Sequence, residues 1–145
     1  MNRKELLQTA VIASPILLSG KLFSQDTKSS DSGKTGGKYG ALIDATTDCL
    51  KKGELCISHC VDMMAGGDKT MGPCAKSVRD MLTMCDTLVK LATSNSEFTK
   101  KHASLCLEVC KKCEDECKKH PKHKVCMNCA ESCKACIAEI NKIIG

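Results

Sequence analysis

The sequence predicts an all-α protein, an antiparallel up-down four-helix bundle with a cysteine-lined core. Three observations carry this. Cysteines and apolar residues recur every three or four positions, the spacing of one helix face, through four separate stretches. Short polar breaks containing Gly, Pro, Ser or Asn divide those stretches. No segment shows the sustained alternation of a strand. Four helices of about 20 to 25 residues joined by short loops favour the up-down arrangement.

Two segments precede the predicted bundle. Residues 1–25 read as an export leader, with a basic start at Arg3 and Lys4, a mainly apolar run over 6–18 and a polar exit. The apolar run is too short to span a bilayer, and no stop-transfer segment follows. An amphipathic first helix of the domain is the alternative reading. Residues 2–7 are similar to the twin-arginine export motif, with Lys4 where the second arginine would stand. Residues 26–40 are rich in Ser, Gly, Lys and Asp and read as a flexible polar linker. The folded domain is then 41–145.

The first helix is predicted over 41–64, with Leu42, Ala45, Cys49, Cys56, Cys60 and Met63 near one face. Gly66-Gly67 ends it. Asp68 and Thr70 are capping candidates for the second helix, and Pro73 suits its first turn. Cys74, Val78, Met81, Cys85 and Leu88 point inward along that helix, which runs to about Ala92. Ser94-Asn95-Ser96 forms the next break, with Ser96 as N-cap. The third helix carries Phe98, His102, Cys106, Cys110, Cys113 and Cys117 and stops ahead of Pro121. The fourth, over 122–144, turns Cys126, Cys129, Cys133, Cys136, Ile140 and Ile143 inward.

The topology sorts these residues along the bundle axis. Cys56, His59, Cys60, Met63, Met71, Cys74, Cys117 and Cys126 gather at one end, a mouth of thiols, thioethers and an imidazole. Leu42, Leu91, Phe98, Ile140, Ile143 and Ile144 close the other end, and Cys49, Cys85, Cys106 and Cys136 lie deeper. His59 and Met63 stand four apart on the Cys60 side of the first helix and are read as mouth ligands. Met81 and Met84 flank Cys85 and read as core, while His102, His120 and His123 sit among lysines and read as solvent-exposed.

Composition narrows the function. With no Trp, one Tyr and two Phe, the interior must be filled by Cys, Met and aliphatic residues. Lysines and acids interleave along every helix, so the net charge of +5 describes solvated faces rather than a nucleic-acid stripe. Base-stacking aromatics are also too few for nucleic-acid binding. No paired carboxylates and no Gly-rich phosphate loop point to an enzyme.

The thirteen cysteines are the chemistry. As mere core filler they would bury less apolar area than Leu or Ile. A disulfide-stapled secreted interaction module fits an exported chain, but the odd number leaves a thiol over, and neighbours on one helix face point their Cβ atoms the same way. Thiol-disulfide exchange would rest on Cys126 and Cys129. Structural zinc or an iron–sulfur cluster would use the C-x-x-C pairs, yet each pair continues into another Cys at i+4 without a glycine knuckle. Cu(I) fits best, because thiolate and thioether are the soft ligands that select it and bridging sulfur allows many ions per chain. Counting free thiols under denaturing, non-reducing conditions separates the copper and disulfide readings.

The leader, the polar arm, Cys56-x-x-x-Cys60, the run Cys106, Cys110, Cys113, Cys117 and the run Cys126, Cys129, Cys133, Cys136 together resemble the bacterial copper storage proteins, in their exported branch. The resemblance spans 41–145. It implies multiple Cu(I) ions held inside a four-helix bundle and a homotetramer. It also implies folding before export by the twin-arginine route, whereas the Arg3-Lys4 pair of the leader leaves a general secretion signal open as well; either route leads to a periplasmic location. The family's His and Met mouth ligands are matched by His59, Met63 and Met71. Copper ions are the expected partner, with a copper-requiring enzyme or chaperone as recipient.

Overall fold

The computed structural model describes residues 37–145. The leader 1–25, and the linker 26–40 up to residue 36, lie outside the described residues. The chain folds into α1 (Gly40–Ala65), α2 (Gly72–Thr93), α3 (Thr99–Lys118) and α4 (Lys124–Ile144), with one 3-10 turn (Lys69–Met71) ahead of α2. No strand occurs among the described residues. Helices α1 and α3 each pack against α2 and α4, so sequence neighbours are spatial neighbours and α4 closes the ring on α1.

Each helix buries one column in alternating steps of three and four, the heptad pattern of bundle packing. The α1 column is Leu42, Thr46, Cys49, Gly53, Cys56 and Cys60, and the α2 column is Cys74, Val78, Met81, Cys85, Leu88 and Ala92. Helix α3 buries Thr99, Ala103, Cys106, Cys110, Cys113 and Cys117, and α4 buries Cys126, Cys129, Cys133, Cys136 and Ile140. The larger fully buried side chains, Leu42, Met71, Val78, Met81, Leu88 and Ile140, supply the apolar packing that the small cysteines do not.

Counting back from Cys106 corrects the predicted start of the third helix. The inward column continues through Ala103 and Thr99, leaving Phe98 59 % exposed instead of closing the apolar end. Thr99 takes that buried place, its hydroxyl donating to the Leu91 and Ser96 carbonyls. The sequence reading stepped back by fours, through His102 to Phe98, whereas the helix period requires a three and then a four.

The breaks follow local rules. Gly67, at φ +99°, ends α1 with its N–H on the Met64 carbonyl, and the Asp68 N–H reaches the Met63 carbonyl. Asn95, at φ 52°, ends α2 the same way, through Asn95 to Ala92 and Ser96 to Leu91. Both are Schellman closures, which need a residue able to adopt the left-handed conformation. Asp68 then turns the chain into α2 by accepting from the Thr70 N–H and hydroxyl at 3.0 and 2.6 Å. Pro73 sits in the first turn of α2, where its missing N–H costs nothing. On the outside, Lys52–Asp48, Lys90–Asp86 and Lys118–Glu114 are i,i+4 ion pairs of the solvated faces.

Candidate metal centre

All thirteen cysteines are fully buried and all are free thiols. They meet across helices because each helix contributes a column to the same axis. Thiol pairs in hydrogen-bonding contact are Cys49–Cys133 and Cys74–Cys117 at 3.6 Å, Cys85–Cys110 at 3.7 Å, Cys56–Cys126, Cys85–Cys106 and Cys106–Cys110 at 3.8 Å, and Cys56–Cys117 at 4.0 Å.

These contacts organise into groups in which every sulfur lies within 4.8 Å of the others. Cys56, Cys60, Cys74 and Cys126 form a four-thiol group at the end predicted to be the mouth. Cys56, Cys117 and Cys129 form the next, Cys113, Cys129 and Cys133 the third, and Cys49, Cys85 and Cys110 the deepest. Cys56 belongs to the first two groups and Cys129 to the second and third. The Cys133–Cys49 contact carries the chain into the fourth. Successive groups therefore share a sulfur or touch, from one end of the bundle to its middle.

The same low-dielectric interior governs the protons. Burial first, then the neighbouring Cys74, pushes the Cys60 thiol up to about 12 and the Cys126 thiol up to about 11. Cys74 is drawn below its ordinary value, mainly by hydrogen bonds from the Cys117 and then the Cys56 thiol. Among the described residues every buried side-chain nitrogen and oxygen has a hydrogen-bond partner. Thr46 marks the inner limit of the thiols. Its hydroxyl donates to the Leu42 carbonyl at 2.6 Å, which leaves the Cys136 thiol, 3.5 Å away, as donor to the Thr46 oxygen.

At the mouth, His59 is half-buried in the penultimate turn of α1, and Met63 is half-buried one turn later. Met71 is fully buried in the 3-10 turn beside the start of α2. His123 corrects the sequence reading. It is half-buried rather than exposed, and its Nδ1 lies 2.7 Å from His59 Nε2. As the residue that opens α4, with φ −102° and ψ 97°, it turns its ring toward α1. His120 is also half-buried and stacks edge-on to His123 at 6.2 Å between ring centroids. The flanking lysines hid both rings, although the up-down topology already placed the α3–α4 connection beside the end of α1. Thr70 chiefly holds the Asp68 carboxyl below its ordinary range, with smaller contributions from His123 and His120.

His102 is likewise half-buried rather than exposed, and its Nε2–H donates to the Met84 carbonyl at 2.9 Å. It ties α3 to α2 on the flank of the core. Met81 is in the core as expected, but its Sδ is 3.5 Å from Cys49 Sγ, a contact that periodicity alone does not reveal.

A chain of buried, reduced, touching thiols with imidazoles at one end is the donor set of a soft-metal container. Comparison with known proteins agrees. An uncharacterised cysteine-rich protein of Bacillus subtilis (strain 168), YhjQ, is 31 % identical over 96 residues, covering 66 % of this chain and 86 % of the relative. Among solved structures, the Cu(I)-bound copper storage protein BsCsp3 superposes with a TM-score of 0.66 at 28 % identity, covering 72 % of this chain and 96 % of that one. The apo form of copper storage protein 3 from Bacillus subtilis gives a TM-score of 0.63 at 28 % identity, covering 72 % and 97 %. The family model described as copper storage protein matches residues 36–145, and the chain accordingly belongs to the copper storage protein family.

Proposed function

We propose that this chain stores Cu(I), holding many ions on the thiolates of its thirteen cysteines, and is not an enzyme. The observation that carries this is the unbroken succession of touching, fully buried free thiols from Cys60 and Cys126 down to Cys49 and Cys85. The ligands are Cys49, Cys56, Cys60, Cys74, Cys85, Cys106, Cys110, Cys113, Cys117, Cys126, Cys129, Cys133 and Cys136. Each Cu(I) that replaces a thiol proton leaves the interior neutral, so filling the core with on the order of one ion per thiolate avoids the cost of burying net charge. Apo and loaded forms can then share one fold.

His59, Met63 and Met71, joined by His123, admit and release the ion at the mouth. A d¹⁰ ion is content with two or three soft ligands, so it moves by exchanging one sulfur at a time. Cys56 and Cys129 serve two groups each and are the natural hand-over points. Imidazole and thioether bind more weakly than thiolate and set a downhill path into the bundle.

Residues 1–25 direct export to the periplasm, and the polar stretch that follows links that leader to the bundle, which begins with the buried Tyr39 and with α1 at Gly40. No helix among the described residues is long and apolar enough to cross a membrane. The mature protein assembles as a homotetramer and passes copper to a copper-requiring enzyme or chaperone. The deciding measurement is an anaerobic Cu(I) titration of the reduced protein against a competing chelator, with bound metal counted per chain. Uptake approaching the number of cysteines is expected. Saturation at one or two ions, or a denatured chain with few titratable thiols, would overturn the proposal.

A further inference from the structure

We infer that Met81 is an internal copper ligand, a thioether that completes a Cu(I) site with Cys49 and Cys133 in the middle of the bundle. This deepens the storage reading and rests on it. Buried methionines ordinarily fill gaps, and three features of Met81 go further. The first is direction. The Cys49 thiol donates its hydrogen to Met81 Sδ at 3.5 Å, so a lone pair of the thioether faces the bonding side of the Cys49 sulfur. Cu(I) displacing that proton arrives between the two sulfurs.

The second feature is the socket. A Cβ built on Gly53 would lie 2.6 Å from Met81 Cε, so the methyl group of Met81 occupies the space a side chain at position 53 would need. Gly53 is also the step at which the α1 column carries no side chain, between Cys49 and Cys56. With its methyl lodged there, the Met81 sulfur is held against Cys49. The third is completeness. Cys49 Sγ is also 3.6 Å from Cys133 Sγ, so the Cys49 sulfur touches one sulfur on each of its neighbouring helices, α2 and α4. Metal–sulfur bonds of about 2.3 Å would set trigonal sulfurs roughly 4 Å apart, so the two spacings about Cys49 need only a slight opening. Helix α2 carries just two cysteines, Cys74 and Cys85, and Met81 supplies the sulfur that its column lacks between them. A thioether here acts as a weak, neutral third ligand, adding affinity without a proton to displace.

The test uses the full chain labelled with selenomethionine and loaded anaerobically with Cu(I). A background with Met63, Met64, Met71 and Met127 all replaced by leucine removes the thioethers at the mouth end and leaves Met81 and Met84 as the methionines of the described helices. X-ray absorption at the selenium edge should show copper in the first shell of selenium in this background. That signal should vanish when Met81→Leu is added and persist with Met84→Leu. Leucine conserves volume closely enough to keep the core packed. Chelator competition on Met81→Leu alone should show unchanged capacity, with one class of bound ions weakened about three- to tenfold. A background protein that binds many ions but shows no selenium–copper scattering would overturn the Met81 site while leaving storage intact. So would equal affinities for Met81→Leu and the parent. If parent and variant alike bind only one or two ions, storage itself fails, and this site with it. If Met81→Leu does not fold, the Met84→Leu arm decides the matter, because Met81 is then the one selenium left in the described helices.

Discussion

Copper uptake should be strongly proton-coupled, and the mouth thiols set the size of the effect. With Cys60 pushed up to about 12 and Cys126 up to about 11, both carry their protons throughout the neutral range. An ion bound by either thiolate must displace one proton, and an ion bridging both must displace two. Each proton lost changes apparent affinity about tenfold per pH unit, equivalent to about 1.4 kcal/mol. A site using one of these thiolates should tighten about tenfold per unit, and a site using both about a hundredfold. The assay is competition against a Cu(I) chelator of known proton dependence at about pH 6, 7 and 8, below the ordinary thiol value of about 8.5. A pH-stat record of acid released per ion added runs beside it. Affinity should rise with pH, and the acid released should match the slope. A flat pH profile with no acid released would mean that the ions do not replace these protons. The chemistry assigned to the core would then be wrong.

Three further outcomes follow from the same geometry. The apo protein should lose stability in alkali: unfolded thiols ionise from about pH 8.5, while the raised folded values keep Cys60 and Cys126 protonated. The unfolded chain then binds fewer protons, so stability falls by about 1.4 kcal/mol per pH unit per thiol between that pH and the folded values. Anaerobic urea melts at rising pH would show it, and a level or rising midpoint would contradict it. Replacing Met63 and Met71 by leucine should slow loading and release in stopped-flow traces while total capacity stays nearly intact; unchanged rates would remove them from the mouth. Cys129→Ser, which breaks two sulfur groups, should cost more ions per chain than Cys106→Ser, which breaks none of the four groups. Equal losses by metal analysis would argue against hand-over through shared sulfurs.

The fold was legible because a heptad column and its breaks are local properties. Gly66-Gly67, Ser94-Asn95-Ser96 and Pro121 mark ends that backbone sterics enforce, and the helix period aligns the cysteines between them. The placement of the thiols on one axis follows from those columns and needs no long-range information. What the sequence left open concerns single rings and single atoms. Phe98 and Thr99 differ by one helical step, and only packing against α2 decides which is buried. His123 lies between lysines, and its approach to His59 depends on the backbone turn that opens α4. The Met81–Cys49 contact depends on a missing side chain at Gly53, which a hydrophobic pattern registers only as a gap.

A bundle whose core is largely thiol faces a physical tension. Cysteine buries less apolar area than leucine, so each one weakens the empty protein, yet storage needs that protein to remain folded while it waits for metal. The chain separates the two demands along its axis. Leu42, Leu88, Ala92, Ala103 and Ile140 sit at the closed end, where a conventional core holds the four helices together, while the cysteines run from there to the mouth. Val78 and Met81 interrupt the thiols on α2 and give the middle of the bundle some bulk. In the empty state contacts such as Cys49 to Met81 and Cys136 to Thr46 give buried thiol protons acceptors. On the proposed loading, copper would take the place of thiol protons, and bonds to metal would replace weak sulfur hydrogen bonds without new buried charge. Stability should therefore climb with each ion bound, in proportion to the ion's affinity for the folded chain.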